Sequence, residues 1–224
     1  MEDQVKSGKR RYNSSERARQ AAATRQAVLQ AARTLLVERG YLATTVADIA
    51  AAAGVAVDTV YAAVGPKPVL LRELVETAIS GRDVAVPAED RDYVRAVQAA
   101  DGAVEKIRIY AAAVTAIQHR LAPVFVALRD AAATDRACAD LWDEIAARRA
   151  RNMRLFAAEL RRTGQLRMDL SDSEVADVIW SMNAAEYWQL LVQQRGWTPE
   201  RFRDWLIDAW TRLLLNRNQE SLAE

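Results

Sequence analysis

The sequence is poor in the residues that end helices or crosslink a chain. Its 224 residues include eight glycines, five prolines and one cysteine. A lone cysteine, Cys138, excludes an internal disulfide, which fits a reducing compartment, so we expect a cytoplasmic protein. Little glycine and proline, with abundant alanine, favours helix. Because no segment shows period-two alternation of β-branched residues, we predict an all-α chain.

Long apolar runs and catalytic motifs are also missing. No stretch of about 18 or more apolar residues occurs without a charge, so we predict no transmembrane helix. The N-terminus lacks the apolar segment of a secretory signal peptide. With one histidine and one cysteine, the chain offers neither a metal cluster nor a nucleophile–base pair. No phosphate-binding glycine loop occurs either, so we expect no enzyme, no metal and no cofactor.

Charge is distributed unevenly along the chain, although the formal net charge is only +1. Residues 1–67 contain ten Lys and Arg against six Asp and Glu, a net of +4, and the remaining residues contain 21 against 24, a net of −3. The basic end therefore suits a polyanionic partner. We predict that residues 1–13 form a disordered basic arm, which either contacts DNA or is only a solvated tail.

Helix signals divide the chain into two domains. The first covers 14–80 and begins with a capping-box pattern at Asn13 and Glu16 that starts a helix near Ser14. A composition break at 81–89 separates it from a second domain, 90–218. The predicted helices cover about 14–39, 46–53, 57–64 and 69–80 in the first domain, and about 91–99, 103–120, 124–133, 136–163, 172–195 and 199–216 in the second.

The most informative segment is Thr45–Leu71. Its first two helices have only two turns each, so they must share a core with a third helix. Alanines at positions 50–53 let helices approach closely, and Gly54 can adopt the left-handed backbone conformation that a sharp turn needs. This pattern is typical of a helix-turn-helix, here at about 45–64, whose second helix lies in the DNA major groove.

The same segment resembles the N-terminal domain of the tetracycline-repressor-like (TetR) family of transcription regulators. That family typically has a Thr-x-x-x-Ile-Ala-x-x-Ala-Gly-Val run, then Tyr three residues before Phe, then Lys. The matching residues here are Thr45, Ile49, Ala50, Ala53, Gly54, Val55, Tyr61 and Lys67. The resemblance covers about residues 24–80. It implies a DNA-binding domain followed by a divergent helical domain that binds a ligand and forms dimers.

The resemblance also implies which residues contact DNA. The recognition helix would lie at about 55–62, and the next helix would present its N-terminus to phosphate. The implied contacts are Arg10, Arg11, Thr44, Thr45, Val57, Asp58, Thr59, Tyr61 and Lys67. The chain departs from the family at Val64, which replaces Phe, and at Pro68, which removes an N–H donor. Ala62 and Ala63 leave the recognition helix poor in donors, so base recognition would depend on methyl contacts and the basic arm.

Aromatic and methionine side chains are concentrated in the second domain. Apolar walls with a few placed polar groups are typical of ligand pockets. We therefore predict a pocket for an unknown small-molecule effector, lined by Tyr110, Met153, Phe156, Trp180, Asn183, Glu186 and Tyr187. The alternative is that these side chains only fill the core, as stripes at helical spacing commonly do.

The last two predicted helices carry broad apolar faces. The resemblance suggests that they pair with their copies in a second subunit to form a four-helix bundle. Such a homodimer would place two recognition helices about 34–36 Å apart, which matches a palindromic operator in double-stranded DNA. The alternative is that both helices only complete the core of one subunit.

These patterns predict a sequence-specific DNA-binding transcription regulator, in particular a repressor that a small-molecule ligand releases from its operator. Because the recognition helix has few donors, one alternative is a helical module that sequesters a ligand or partner without specific DNA binding. Another is an architectural protein that coats DNA. The sequence does not choose between repression and activation.

Overall fold

A computed structural model describes residues 3–82 and 84–216, with side chains described from residue 16 onward. Within these ranges a 3-10 turn (Ala88–Asp90) precedes α5, a π-helical stretch (Gln189–Gln194) follows α9, and extended backbone pairs only at an isolated bridge between Leu166 and Leu215. The predicted all-α class is confirmed. The helices are α1 (Asp3–Arg39), α2 (Val46–Ala53), α3 (Val57–Ala63), α4 (Lys67–Ser80), α5 (Asp92–Ala99), α6 (Ala103–Ala132), α7 (Arg136–Arg161), α8 (Asp172–Met182), α9 (Ala185–Trp188) and α10 (Pro199–Leu214).

Helix α1 begins earlier than the sequence predicts. Residues 3–13, expected to belong to a disordered arm, are the first turns of a 37-residue helix, and Asn13 does not cap a helix N-terminus. The physical reason is that no proline precedes Pro66, and the single Gly8 costs a helix only about 1 kcal/mol relative to alanine. The side chains of Arg10 and Arg11 lie outside the described part, so their DNA contacts stay a prediction.

Helices α1 to α4 pack around a small core. Buried side chains come from every one of these helices, since Leu36 of α1, Ile49 of α2, Val60 of α3 and Leu70 of α4 are all almost fully buried. The short α2 and α3 thus depend on α1 and α4 for their stability, as the sequence predicts. Their bounds are within two residues of the predicted ones.

Helix α6 is the central helix of the second domain and is continuous over 30 residues. The turn predicted at Pro123, between helices at 103–120 and 124–133, is therefore wrong. Proline removes one hydrogen bond to the carbonyl of residue 119, but His119 is exposed, so water can satisfy that group. Burial of both flanking segments, including Leu121 and Phe125, outweighs the lost hydrogen bond.

The single helix predicted at 172–195 is also wrong. Helix α8 ends at Met182, Asn183 is its C-cap, and Ala184 is extended at ψ 150° before α9 begins. Tertiary hydrogen bonds stabilise this break. Gln118 donates to the Asn183 carbonyl (2.6 Å), and Arg149 donates to the Trp180 carbonyl (2.9 Å). These long-range donors satisfy backbone groups that the break leaves free.

The two domains share one continuous cluster of buried apolar residues. Helix α6 is long and apolar enough to cross a membrane by length and composition, but 56% of its most apolar window is buried inside the protein. That burial is typical of a core helix. The α6 helix packs against α4, α7 and α10, so it connects the N-terminal helices with the rest of the fold.

Candidate DNA-binding surface and effector cavity

Helices α2 and α3 form the predicted helix-turn-helix, with an angle of 93° between them. Thr45 caps α2: its hydroxyl accepts from the Asp48 N–H (3.1 Å), and the Asp48 carboxylate accepts from the Thr45 N–H (2.8 Å). The hydrogen bonds from Thr45 lower the pKa of the Asp48 carboxyl. Gly54 ends α2 at φ 68°, in the left-handed conformation that the sharp turn requires.

The outer face of α3 is open to solvent. Val57 and Tyr61 are 39% and 50% exposed, and Asp58 is exposed beside them, while Val60 on the opposite face is fully buried. The predicted contacts at Val57, Asp58 and Tyr61 therefore share one accessible surface, on which the carboxylate can accept and the phenol can donate.

A groove runs between α1 and α3. Arg17, Gln20 and Thr24 line it from α1, and Thr59 lines it from α3. Gln20 and Thr24 were not among the site residues predicted from the sequence. Their spacing of three and seven positions from Arg17 was the available signal, because residues at these offsets lie on one helix face. We define the DNA-binding surface as the exposed face of α3 together with this groove.

Thr44 does not belong to this surface. It is fully buried, and its hydroxyl donates to the carbonyls of Gly40 (2.9 Å) and Leu35 (3.1 Å) at the end of α1. The DNA contact predicted for Thr44 is therefore wrong. Its hydroxyl satisfies carbonyls that the end of a helix leaves free. Thr45 is exposed, but its hydroxyl is engaged with Asp48, and its DNA contact stays a prediction.

Lys67 has a structural role that the sequence did not predict. Its ammonium donates to the carbonyls of Tyr41 (2.6 Å) and Thr44 (2.9 Å), and it lies 3.9 Å from the centroid of the Tyr41 ring. These contacts hold the start of α4 against the turn between α1 and α2. An ammonium has three N–H groups, so one donor is left for phosphate. The predicted phosphate contact of Lys67 thus stays a prediction.

A cavity of about 240 Å³, here named the aromatic cavity, lies between α5, α6 and α7. Three predicted pocket residues line it: Tyr110, Met153 and Phe156. The ring centroids of Tyr110 and Phe156 are 4.4 Å apart, and those of Tyr110 and Tyr93 are 6.1 Å apart. Burial raises the pKa of Tyr110, so its phenol is neutral and donates to the sulfur of Met153 (3.2 Å).

Asn183 supports the aromatic cavity from behind. The nitrogen of its side-chain amide donates to the Tyr110 hydroxyl (2.8 Å) and approaches the Met153 sulfur (3.1 Å). The oxygen of the same side-chain amide accepts from Arg149 (2.5 Å). Asn183 is buried and does not line the cavity. It therefore orients the Tyr110 hydroxyl, and we describe it as a positioning residue.

The other three predicted pocket residues do not line the aromatic cavity, and their assignment to a pocket there is wrong. Trp180 packs against the guanidinium of Arg149 (5.0 Å), and Tyr187 stacks on Trp205 (5.6 Å). Glu186 is half-buried on α9. The break at Asn183 interrupts the single helix predicted over 172–195, so Trp180 lies on α8 whereas Glu186 and Tyr187 lie on α9.

No group of three or more His, Cys, Asp or Glu side chains in the described ranges could hold a metal ion.

Residues 28–74 match the family model described as "Bacterial regulatory proteins, tetR family". The match includes α2, α3, the turn between them and the start of α4, so it covers the α3 part of the DNA-binding surface but not Arg17, Gln20 and Thr24 of the groove. This part of the chain is thus similar to the N-terminal domain of the tetR family of bacterial regulatory proteins. No curated protein sequence matches the chain.

Solved structures share the whole fold. A protein from Saccharomonospora viridis in complex with choline is 19% identical, with a TM-score of 0.64 over 86% of this chain and 98% of that one. NalD of Pseudomonas aeruginosa, the secondary repressor of the MexAB-OprM multidrug efflux pump, is 18% identical, with a TM-score of 0.65 over 87% and 98%. The SmeT–triclosan complex is 18% identical, with a TM-score of 0.68 over 88% of this chain and 93% of that one. At these identities the comparison shows the fold.

Helix α7 contacts both the aromatic cavity and the first domain, which contains the match to the tetR family. Its C-terminal half contributes Met153 and Phe156 to the cavity. Its N-terminal half makes three polar contacts with the first domain. These are Tyr41 to Asp135 (2.6 Å), Arg72 to Glu144 (2.7 and 3.0 Å) and Arg148 to Glu76 (2.6 Å).

Proposed function

We propose that this protein is a transcriptional repressor that binds a specific palindromic operator as a homodimer in the cytoplasm, and that a small-molecule effector releases it. The observation that carries this proposal is the exposed outer face of α3 beside the groove lined by Arg17. Its apolar and acidic groups, Val57 and Asp58, are suited to thymine methyls and cytosine amino groups in the major groove. Arg17 and Tyr61 at its edges are suited to phosphates.

The aromatic cavity supports the proposal that a small-molecule effector binds this protein. The structural neighbours include proteins solved with choline and with triclosan, and the neighbour NalD is a repressor. Here the cavity offers aromatic walls and one buried phenol, the composition expected of a small-molecule site.

Helix α7 supports coupling between the effector and DNA. A ligand that moves Met153 acts on the same helix that Arg148 joins to Glu76 of α4. The neighbouring Arg149 donates a hydrogen bond to Asn183, which positions Tyr110 of the cavity. Arg149 and the cavity residue Met153 are four positions apart on α7, about one helical turn. A shift of α7 would change the angle of α4 and hence of α3. The ligand can shift this equilibrium only by its differential affinity for the two states, commonly about 1–3 kcal/mol.

Exposed apolar side chains support the homodimer. Leu190 and Leu213 are 52% and 45% exposed. Trp205, which lies on α10 with Leu213, is half-buried. A two-fold axis would let each face cover its own copy. Two recognition helices related by that axis require a palindromic operator.

The test is fluorescence anisotropy with the DNA upstream of the protein's own gene against scrambled DNA, over a salt series. We expect a preference of about 10³-fold or more at physiological salt, and an affinity that falls as salt rises. Arg17→Gln should weaken binding and reduce the slope of log affinity against log salt by about one unit. Arg19→Gln is the matched control, because Arg19 is exposed but does not line the groove.

Equal affinity for the two DNAs at every salt concentration would contradict the proposal and favour an architectural protein. No binding to either DNA would favour the sequestering module. An equal loss of affinity in the Arg17 and Arg19 variants would contradict the groove as part of the DNA-binding surface.

A further inference from the structure

A second cavity, of about 200 Å³, lies beside the aromatic cavity. The end of α4, the following loop, the start of α5 and one face of α6 enclose it. Tyr93 lines both cavities, so its ring forms part of the wall between them. We name this second space the arginine cavity, because apolar and basic side chains dominate its lining: Ile79, Val86, Ile117, Arg82, Arg91 and Arg120.

Two of the three arginines keep donors for a ligand. Arg82 is paired with Asp92 (3.2 Å), the only carboxylate that lines the cavity in the described ranges. The Nε of Arg91 donates to the carbonyl of Val86 (3.1 Å), and the Nε of Arg120 donates to the carbonyl of Ala78 (2.9 Å). Among the described residues, no carboxylate oxygen lies within 4.0 Å of either guanidinium. Each guanidinium has five N–H groups, so most of them remain available.

The surroundings of these two arginines are electropositive. Arg33 of α1 donates to the backbone carbonyl of Arg120 (2.8 Å), so a third guanidinium lies close by. Burial lowers the pKa of Arg120, and the charge of Arg33 lowers it further. The charge of Arg91 also reaches the buried phenol of Tyr110, where it opposes part of the rise in pKa that burial causes. An anion placed here would therefore gain from all three positive charges, whereas a cation would be repelled.

The sizes of the cavities indicate that one ligand uses both. Each volume alone is below the roughly 300 Å³ at which ordinary ligand pockets begin, and together they exceed it. Tyr93 is only partly buried, so a change of its rotamer can connect the two spaces. The aromatic walls would then hold an apolar body, and the arginines would hold a charged end.

We propose that the effector is an amphipathic carboxylate, with its carboxylate on Arg91 and Arg120 and its apolar body in the aromatic cavity beyond Tyr93. This proposal rests on the proposed effector-responsive function. Two guanidinium groups can bind a carboxylate through charge-assisted hydrogen bonds in the planar geometry that both groups share. A singly charged head suits a mostly apolar space better than a doubly charged phosphate, because burying more charge costs more. The bound carboxylate would also lie near the end of α4, whose Ala78 carbonyl accepts from Arg120.

The experiment uses three probes with the same body and different heads: 4-phenylbutyrate, 4-phenylbutyramide and 4-phenylbutylamine. Isothermal titration calorimetry with the full chain, without DNA, gives the Kd of each. We expect the carboxylate to bind at least about tenfold more tightly than the amide, since hydrogen bonds to a charged group are stronger than those to a neutral one. The amine should show no binding.

Arg91→Gln should weaken binding of the carboxylate by about tenfold or more and leave binding of the amide unchanged. Arg91→Lys, which keeps the charge, should retain most of the affinity. Arg95→Gln is the matched control, because Arg95 lies one turn later on α5 with a 61% exposed side chain and pairs with Asp90 outside the cavity. Thermal unfolding without probe checks that each variant folds.

Three outcomes would overturn this proposal: equal binding of the carboxylate and the amide, preference for the amine, or no binding of any probe. The same holds if Arg91→Gln and Arg95→Gln lower the affinity for the carboxylate equally. These results are independent of DNA binding, which is measured separately with operator DNA. If the carboxylate binds as expected but the protein does not distinguish DNA sequences, the repressor function fails while the ligand class stands.

Discussion

Replacing Lys67 separates a structural role from a role in DNA binding. The variant Lys67→Met keeps the aliphatic stem and removes the ammonium, with its two hydrogen bonds to the Tyr41 and Thr44 carbonyls and its contact with the Tyr41 ring. Hydrogen bonds from charged groups contribute about 1.5–3 kcal/mol, and a cation over an aromatic ring contributes about 0.5–2 kcal/mol. The lower ends for two hydrogen bonds and one ring contact add to about 3.5 kcal/mol. Because Lys67 is half-buried, solvent screening reduces this sum, and we expect a loss of about 2 kcal/mol in the free energy of unfolding.

The assay is urea unfolding followed by far-UV circular dichroism, with Arg39→Met as the matched control. Arg39 is exposed at the end of α1, so its replacement removes the same charge from the same region and should change stability by less than about 0.5 kcal/mol. Salt-dependent DNA binding of Lys67→Met is measured in parallel. If the third donor reaches phosphate, the salt slope should fall by about one unit.

An unchanged free energy of unfolding in Lys67→Met would refute this reasoning about the start of α4. A loss of stability without a change in the salt slope would assign Lys67 a structural role alone. A change in the slope without a loss of stability would restore the interpretation based on sequence, in which Lys67 serves DNA binding only.

Three further predictions concern the link between the domains and the sharp turn. The hydrogen bond from Tyr41 lowers the pKa of the Asp135 carboxyl, so its stabilising contribution is present above the ordinary carboxyl pKa and is lost as pH falls through the lowered pKa. The stability advantage of wild type over Asp135→Asn should therefore shrink in acid, and urea unfolding midpoints measured across pH would show this. The Glu76–Arg148 pair is mostly buried, so a double-mutant cycle with Gln at both positions should give a coupling of about 1–2 kcal/mol in urea unfolding, and a coupling near zero would contradict a structural link. Gly54→Ala should lower stability by about 1 kcal/mol, because φ is 68° and no atom within 4 Å would meet the new Cβ, so a much larger loss would indicate packing strain instead.

The local signals of the first domain could be predicted from sequence because each depends on residues close together in the chain. Thr45 and Asp48 form a capping box within four positions, and Gly54 takes a backbone conformation that few other residues tolerate. The contacts predicted on the exposed face of α3 came from the resemblance to a known family. Thr44 could not be assigned in this way, since its hydroxyl is satisfied by carbonyls at the end of the preceding helix.

The second domain was harder to predict because its decisive contacts are distant in sequence. Gln118 and Arg149 stabilise the break at Asn183 from two other helices, and no local signal marks that break. Pro123 ordinarily predicts the end of a helix, yet burial on both sides keeps α6 continuous. Tyr110, Met153 and Phe156 lie together at the aromatic cavity because their own helices are regular, and their role in ligand binding stays a prediction.

The sequence by itself determined the all-α class, the helix-turn-helix and the resemblance to the tetR family, because helix propensity, caps and a left-handed glycine act over a few residues. Only the tertiary structure decided that α7 connects the cavity to α4, that Tyr93 separates two cavities and that Arg91 and Arg120 line one of them. Those features depend on which helix faces meet. Burial and hydrogen bonds between residues far apart in the chain decide that, such as Arg120 with Ala78, 42 positions apart, and Arg148 with Glu76, 72 positions apart.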